Sequence, residues 1–446
     1  MREGYKEERA ALGRDYGGRD PDKENRLQKE AEEMSNQTLE KKQDSAIKFG
    51  AIMSIICGVV LSMGAIHMDT INWILPTIAE ELAAGNSTLM VTSGFFYGMM
   101  IGHVIVGPLS DMIGKKKTMV LGFLICVGGA VIGANSSALG GLIAARLIQG
   151  IGGAASSNAA RAVGGDAGKG RKSAIALTFM QIWSAALPIV LPLSGKWVGQ
   201  SFGWPAIFWL QAIICGILCL LTLLFVTETS EISGKGCISR MAGEVKACLA
   251  TPEYVFFVLC FAFNMATFFL YAGSMSFAMV TELGMDNGHY ANVYAWGAVG
   301  MTIFAALGRY FIAPKVNPSK IIHTLNVIQV VFGVAFSVCF LTGVADWHWM
   351  QYILWILPSC QGIVLPVAMA QVMNASGKAT GTGAAFMGFV QYLFSSITTS
   401  ILASVRAGGS IGTYIGFMMT FTAACSFICC VLGKRSLLKK DPNAVI

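Results

Sequence analysis

The sequence predicts an all-α membrane protein with twelve transmembrane helices, six on each side of a central loop. Three observations lead there. Only 13% of the 446 residues are charged and 54% are hydrophobic, whereas a soluble domain carries about one-quarter charged residues. Apolar stretches of roughly 20 residues, enough to cross a bilayer as a helix, recur from about residue 49 to residue 433. When these stretches are threaded back and forth, lysine and arginine collect on one side, as they do on cytoplasmic faces.

Residues 1–48 set eleven basic side chains against twelve acidic ones among Gly and Gln. Such a segment buries too little apolar surface to fold alone, so a cytoplasmic tail is expected, disordered or a solvated helix. Spans are expected at about 49–78, 88–110, 118–136, 140–163, 173–194, 204–226, 254–280, 291–312, 320–342, 349–373, 382–404 and 410–432. Each must be helical, because lipid offers no partner to an unpaired backbone group. The first is overlong, and its end at Pro76 is expected to project from the bilayer. Glu228, Glu231, Lys235, Arg240, Glu244 and Lys246 mark 228–252 as a solvated central loop. It divides one bundle, 49–227, from a second, 253–433, and 434–446 forms a cytoplasmic tail. Two halves of six spans suit a repeated transporter fold. The turns after the second and eighth spans echo each other, Gly107–Lys117 and Gly308–Lys320.

Lys115, Lys116, Lys117, Arg161, Lys169, Arg171, Lys172, Arg309, Lys315, Lys378 and Lys434 fall on one side, and only Lys196 and Arg406 on the other. Both termini are therefore expected in the cytoplasm, with the chain a multi-pass protein of a bacterial inner membrane. The net charge of +7 lies in the loops between spans, as loop placement alone accounts for, so neither nucleic acid nor an acidic-lipid partner is called for. No cleavable signal peptide is expected, since the first apolar run follows a long charged tail. The twelve cysteines sit mostly in apolar runs without paired metal-type spacing, so they read as reduced small hydrophobes, and no metal is expected. No G-x-x-x-x-G-K-[ST] phosphate loop is present, so any work done must draw on a gradient and not on a bound cofactor.

Gly107-Pro-Leu-Ser-Asp-Met-Ile-Gly-Lys-Lys-Lys117 is a tight turn in which Gly107 and Gly114 permit close approach or positive φ. Asp111 can face a helix end or Lys115 and Lys116. The pattern resembles the loop after the second span in the major facilitator superfamily, G-x-L-[SA]-D-x-x-G-[RK]-[RK]. Met68-Asp69-Thr70-Ile71-Asn72 with Leu75-Pro76 is similar to the first-helix motif of that family's drug:proton antiporters. Arg146-Leu-Ile-Gln149-Gly150-Ile-Gly152 resembles their R-x-x-Q-G-x-G motif. Pro188, Pro192 and Gly195 fall where they carry G-x-x-x-G-P-x-x-G-G, with Ala185, Leu187 and Ser194 in the same stretch. Phe202–Trp209 and Gly381–Gln391 resemble the bicyclomycin/chloramphenicol-resistance branch. The resemblance covers about 50–430 and implies two bundles rocking about a central site.

An ionisable group within the bilayer costs roughly 2.5–3.5 kcal/mol and generally faces a cavity or a partner. Asp69 and Arg146 lie at similar depth, so Asp69 is expected to exchange between a proton and an ion pair with Arg146 or substrate; the alternatives are a static structural pair or an Asp69 exposed to water at the helix end. Asn72 and Trp73 share the Asp69 face at i+3 and i+4. Gln149 shares one with Arg146. Asn264, Phe268 and Tyr271 form a polar–aromatic stripe, and Gln361, Gln391 and Tyr392 are similar. These nine side chains either line a pocket for a lipophilic molecule or hydrogen-bond between helices. His103 is expected to bond another helix more readily than to shuttle protons.

The leading reading is a secondary transporter that exports small lipophilic molecules or drugs in exchange for protons, monomeric and without enzymatic activity. Export of an endogenous metabolite such as a siderophore or nucleoside, or proton-coupled uptake, stands second. A membrane transferase would need clustered carboxylates or histidines, and neither a D-D-x-x-D nor an H-x-x-x-H pattern occurs; a non-translocating ligand sensor remains a separate class.

Overall fold

The structure, a computed structural model, describes residues 52–166, 171–229, 237–312, 315–376, 380–405 and 409–440. The tail expected over 1–48 lies outside the described residues. All regular structure within them is helical. In the N-terminal half the first span is broken into α1 (Ile52–Leu61), α2 (Met63–Asp69) and α3 (Leu75–Glu81). Spans two to six are α4 (Leu89–Ile113), α5 (Lys115–Ala134), α6 (Leu139–Gly165), α7 (Arg171–Phe202) and α8 (Pro205–Phe225). The short helix α9 (Cys237–Leu249) follows. In the C-terminal half α10 (Pro252–Ser276) continues as a π-helix to Glu282, and α11 (Asn287–Leu307) to Ile312. Then come α12 (Pro318–Leu341), α13 (Trp347–Ile353) running into α14 (Ile356–Ala375) as one span, α15 (Thr380–Ala403) and α16 (Ile411–Lys440).

Nine helices among the described residues are long and apolar enough to cross a membrane, and the bent first span makes ten. The other two are α6 and α7, 27 and 32 residues long. The apolar signal of α6 is diluted by its Gly, Ser, Asn and Arg residues, whereas α7 carries an uncharged apolar run over 173–195. The small residues of α6 have a packing reason. A Cβ at Gly98 on α4 would collide with the Leu147 carbonyl of α6, and one at Gly150 with the Phe95 carbonyl of α4. Spans two and four thus pack backbone to backbone, as small residues allow in membranes.

Helix ends follow local chemistry. Pro205, Pro252 and Pro318 open α8, α10 and α12, where a missing N–H is harmless. Asp286 and Asp346 accept from the N–H of His289 and His348, both at 2.8 Å, capping α11 and α13. The central loop expected over 228–252 contains α9, exposed or half-buried over 242–250 except at Cys248, which is buried against the apolar core of α10, α14 and α15. Thr382 of α15 donates to Glu244 of α9.

Large apolar side chains remain exposed on particular faces: Leu124 on α5, Ile213, Ile217 and Leu220 on α8, Val331 and Val334 on α12, Phe417, Phe421 and Ile428 on α16. They include faces of spans three, six, nine and twelve, and other spans expose such side chains too, Ile182 and Trp197 on α7 and Trp296 on α11 among them. In water such faces would be unfavourable, and in lipid they are the outer belt. The halves meet along two lines, α4 against α15 and α7 against α11.

Candidate functional site

The first span is irregular where its motif lies. Its axis bends by 48° between α1 and the helices after it. It then leaves the α-helix after Asp69 and passes through a 3-10 turn, Asn72–Ile74. Of the expected shared face, Asp69 and Asn72 both reach the C-terminal half and only Trp73 departs, because the i+3/i+4 rule holds only for a continuous α-helix. Asn72 donates across the seam to the Ala272 carbonyl of α10 at 2.9 Å. Trp73 turns back, its Nε1 donating to the Thr70 carbonyl at 2.9 Å. Asp69, 7% exposed, accepts from the Tyr294 hydroxyl of α11 at 2.9 Å.

The expected ion pair between Asp69 and Arg146 is not made in this structure: no salt bridge joins them among the described residues. The two lie near one level but point opposite ways. Asp69 faces the C-terminal half, whereas Arg146, 1% exposed, faces inward within its own half. Arg146 lies over the Phe208 ring of α8 at 5.0 Å. Its Nη1 donates to Gln149 at 2.9 Å, while Nη2 has no partner. The Gln149 amide donates to Gln211 of α8 at 3.0 Å, and Gln211 donates to Thr70 at 2.7 Å. A chain of amides therefore runs from Arg146 to the residue beside Asp69.

The C-terminal half repeats this interior. Asn264 (α10) and Asn326 (α12) both donate to Ser426 (α16), and Gln361 (α14) donates to Gln329 (α12) at 3.2 Å and to the Asn264 carbonyl at 3.2 Å. Spans one, four and six carry the first set, with Cys126 of span three donating to the Gln149 carbonyl at 3.5 Å. Spans seven, nine, ten and twelve carry the second. Adding six to each span number converts one into the other, as a parallel repeat requires. Gln149, Asn264 and Gln361 are thus committed within their own halves, and the pocket-lining alternative gives way to the hydrogen-bonding one for these three.

Between the halves the remaining candidates cluster. Tyr271 stacks on Tyr294 with centroids 5.9 Å apart, and Tyr290 lies 6.3 Å from Tyr294. Nearer the middle Tyr392 of α15 meets Phe96, Phe269 and His103, and Phe268 adjoins Phe269 at 5.5 Å. Gln391 is buried beside Tyr392. His103 does not bond a second helix as expected. Its Nδ1 pairs with the Met99 carbonyl one turn back at 2.8 Å, and its ring crosses the seam to Tyr392 at 5.2 Å. Six hydrogen bonds join the halves at the end opposite the lysine-rich loops. They are Asp69–Tyr294, Asn72–Ala272, Asn287–Thr77 at 2.9 Å, Lys196–Asn292 at 3.2 Å, Asn86–Val405 at 3.3 Å and Tyr97–Ser400 at 3.3 Å.

The glycine–lysine turn forms a latch at the basic end. Gly114 adopts φ 96°, the left-handed region that favours glycine. Glu228, just beyond α8, accepts from the Lys115 and Lys116 backbone N–H groups at 2.9 and 3.1 Å, a carboxylate on a helix N-terminus. Lys115 pairs with Asp166 after α6, and Lys116 Nζ donates to the Leu223 carbonyl at 2.9 Å. Three loops of the half are tied together there. Gly107 lies within α4, and the Asp111 side chain lies outside the described residues. Pro188 and Pro192 are both inside the continuous α7. Gly195 lets α7 press on the first-span break, since a Cβ there would collide with the Thr70 carbonyl.

Tyr294, Gln211, Glu228 and Asp166 were missed from the sequence. Gln211 had a signal, as a lone amide in the apolar run of α8. Tyr294 had none, because its role depends on which helix faces Asp69.

Comparison with known proteins agrees with this architecture. The model of the Major Facilitator Superfamily matches residues 53–399. The chain is 22% identical over 363 residues to Multidrug resistance protein MdtL of Escherichia coli O81, covering 80% of this chain and 88% of that one. It is 21% identical over 357 residues to the Bicyclomycin resistance protein homolog of Haemophilus influenzae, covering 78% and 89%. Among solved structures, the POT family transporter PepTSo superposes with TM-score 0.68 at 11% identity, over 88% of this chain and 98% of that one. A D-xylose-proton symporter gives 0.63 at 13%, over 86% and 97%. With its long helices in two repeated halves, lipid-facing apolar belts and a family match over residues 53–399, the chain belongs to the major facilitator superfamily of membrane transporters.

Proposed function

We propose that this transporter is a proton-coupled antiporter that exports small lipophilic organic molecules by alternating access. The observation that carries the reading is Asp69: a buried carboxylate at the seam, beside a break in its helix, partnered by a tyrosine across the seam. A charge at that depth is costly, so movement of the seam favours its neutralisation by a proton or by a cationic or hydrogen-bonding group of the substrate. Aromatic rings of Tyr271, Tyr294, Phe269 and Tyr392 provide the apolar surface for such a substrate. The names of the bacterial relatives, multidrug and bicyclomycin resistance, support efflux.

In this reading the lysine-rich end faces the cytoplasm of a bacterial inner membrane, and the sealed end faces outward. Export then requires the seam bonds at Asp69, Asn72 and Thr77 to open after substrate enters from the basic end. One charge crossing ~100 mV supplies about 2.3 kcal/mol, so a driving force of ~150 mV supplies about 3.5. At about 1.4 kcal/mol per decade, one proton sustains a gradient of a few hundredfold.

The test uses purified protein in liposomes enclosing a pH-sensitive dye, with a panel of lipophilic antibiotics beginning with bicyclomycin. Wild type should move protons when drug is added. Asp69→Asn should abolish drug-driven proton movement while counterflow of labelled drug persists. Proton-driven accumulation by Asp69→Asn at the wild-type level would end the reading.

A further inference from the structure

Three buried side chains unconnected by sequence spacing converge in the N-terminal half. His67 on α2, Cys126 on α5 and Cys215 on α8 bring one ring nitrogen and two sulfurs within 4.8 Å of one another. All three residues are fully buried. The imidazole is already oriented as a ligand. Its Nδ1 lies 2.8 Å from the Met63 carbonyl oxygen, and a carbonyl only accepts, so Nδ1 carries the proton. That leaves the Nε2 lone pair facing the Cys215 sulfur at 3.9 Å. A backbone carbonyl on the far nitrogen is the arrangement that sets tautomer and ring direction in metal-bound histidines. Phe95, stacked on the ring at 5.7 Å with an 18° tilt, holds its plane.

We propose that His67, Cys126 and Cys215 form a site for one thiophilic divalent cation of the zinc class, stapling spans one, three and six. Bond lengths of about 2.3 Å to sulfur and about 2.0–2.1 Å to nitrogen put S and N of a tetrahedral site roughly 3.6 Å apart, close to the spacing observed. Two sulfurs and an imidazole suit zinc, whereas calcium and magnesium demand oxygen. Charge makes the same choice. Binding releases the two thiol protons to solvent, and two thiolates then cancel the divalent charge around a neutral imidazole. The complex is neutral, as the bilayer interior favours. A monovalent copper ion would leave a net negative charge. All three ligands belong to one half, so the cation stiffens that half without bridging the seam. The site stands independently of the proton-coupling reading.

The full-length protein, purified in detergent, reduced and stripped with a chelator, is equilibrated overnight with Cd2+. Thiolate-to-metal charge-transfer absorption should saturate at one equivalent. It should disappear in Cys126→Ala and Cys215→Ala, weaken at least about tenfold in His67→Phe, and persist in Cys57→Ala, a buried cysteine elsewhere on the first span. Zn2+ should raise the thermal midpoint of wild type and not of Cys215→Ala. Should those variants fold poorly, pulsed alkylation of wild type reads the site directly: Cd2+ should shield Cys126 and Cys215 and leave Cys57 unshielded. Absent stoichiometric absorption in wild type, unchanged absorption in Cys126→Ala, equal alkylation with and without Cd2+, or a Cys126–Cys215 disulfide in the unreduced protein would each overturn the proposal.

Discussion

Asp69 and Arg146 show how two residues of opposite charge can share a depth and have separate tasks. Arg146 is held by Gln149 and by the face of Phe208, and Asp69 by Tyr294. The Tyr294 bond is the one that movement between the halves must break. A hydrogen bond to an ionised group contributes about 1.5–3 kcal/mol, so Tyr294→Phe should change the seam equilibrium by roughly ten- to a hundredfold. The expected outcome is altered transport turnover with coupling retained, since the carboxylate remains. Turnover and drug-driven proton movement measured on the same liposomes check both. Loss of coupling itself would place Tyr294 in the proton path. Both motif residues could be picked out from the sequence as rare ionisable groups in apolar spans. Their directions could not, because a helix axis and a depth say nothing about which neighbour occupies each face.

At the level of elements, the break in the first span depends on span five. Gly195 lies against the Thr70 carbonyl, and Trp73 and Ile74 pack beside Gly199. Gly195→Ala should push α7 from the break and cost about 1–3 kcal/mol, the usual range for overpacking. Gly216, on α8 with open space around it, is the control: Gly216→Ala should be neutral or stabilise by about 0.5–1 kcal/mol through helix propensity. Thermal midpoints in detergent distinguish the pair, and equal shifts would show that α7 does not bear on the break. The sequence resemblance had marked Pro188, Pro192 and Gly195 as a motif. The contact that explains Gly195 appears only when a span-one carbonyl is placed opposite it. The same holds for the glycine–lysine turn: its glycines and lysines were legible, while Glu228 and Asp166, which hold it, come from loops distant in the chain.

At the level of the whole molecule, the halves are joined at one end by hydrogen bonds and by a dry cluster that includes Leu75, Leu270, Tyr271 and Tyr290. Alternating access requires that end to part. Thr77 and Asn287 touch across it, with side chains 2.9 Å apart. The pair Thr77→Cys with Asn287→Cys should therefore oxidise to a disulfide that arrests transport, and reductant should restore it. Transport that continues with the crosslink formed would show that the two halves need not separate there. The repeated amide interiors suit this rocking, because the amide-to-amide bonds of each half lie within that half and move with it when the seam opens.

The sequence by itself determined the helical class, the approximate placement of the spans, and the gathering of lysine and arginine in alternate loops. These follow from rules that act on one segment at a time: a span must be long and apolar enough for lipid and must satisfy its own backbone, and cations stay at one face. Tertiary structure alone decided that Asp69 faces Tyr294, that Arg146 turns inward to Phe208, and that His67, Cys126 and Cys215 meet. Those outcomes depend on the rotation of each helix and on its neighbours, and packing between segments far apart in the chain sets both.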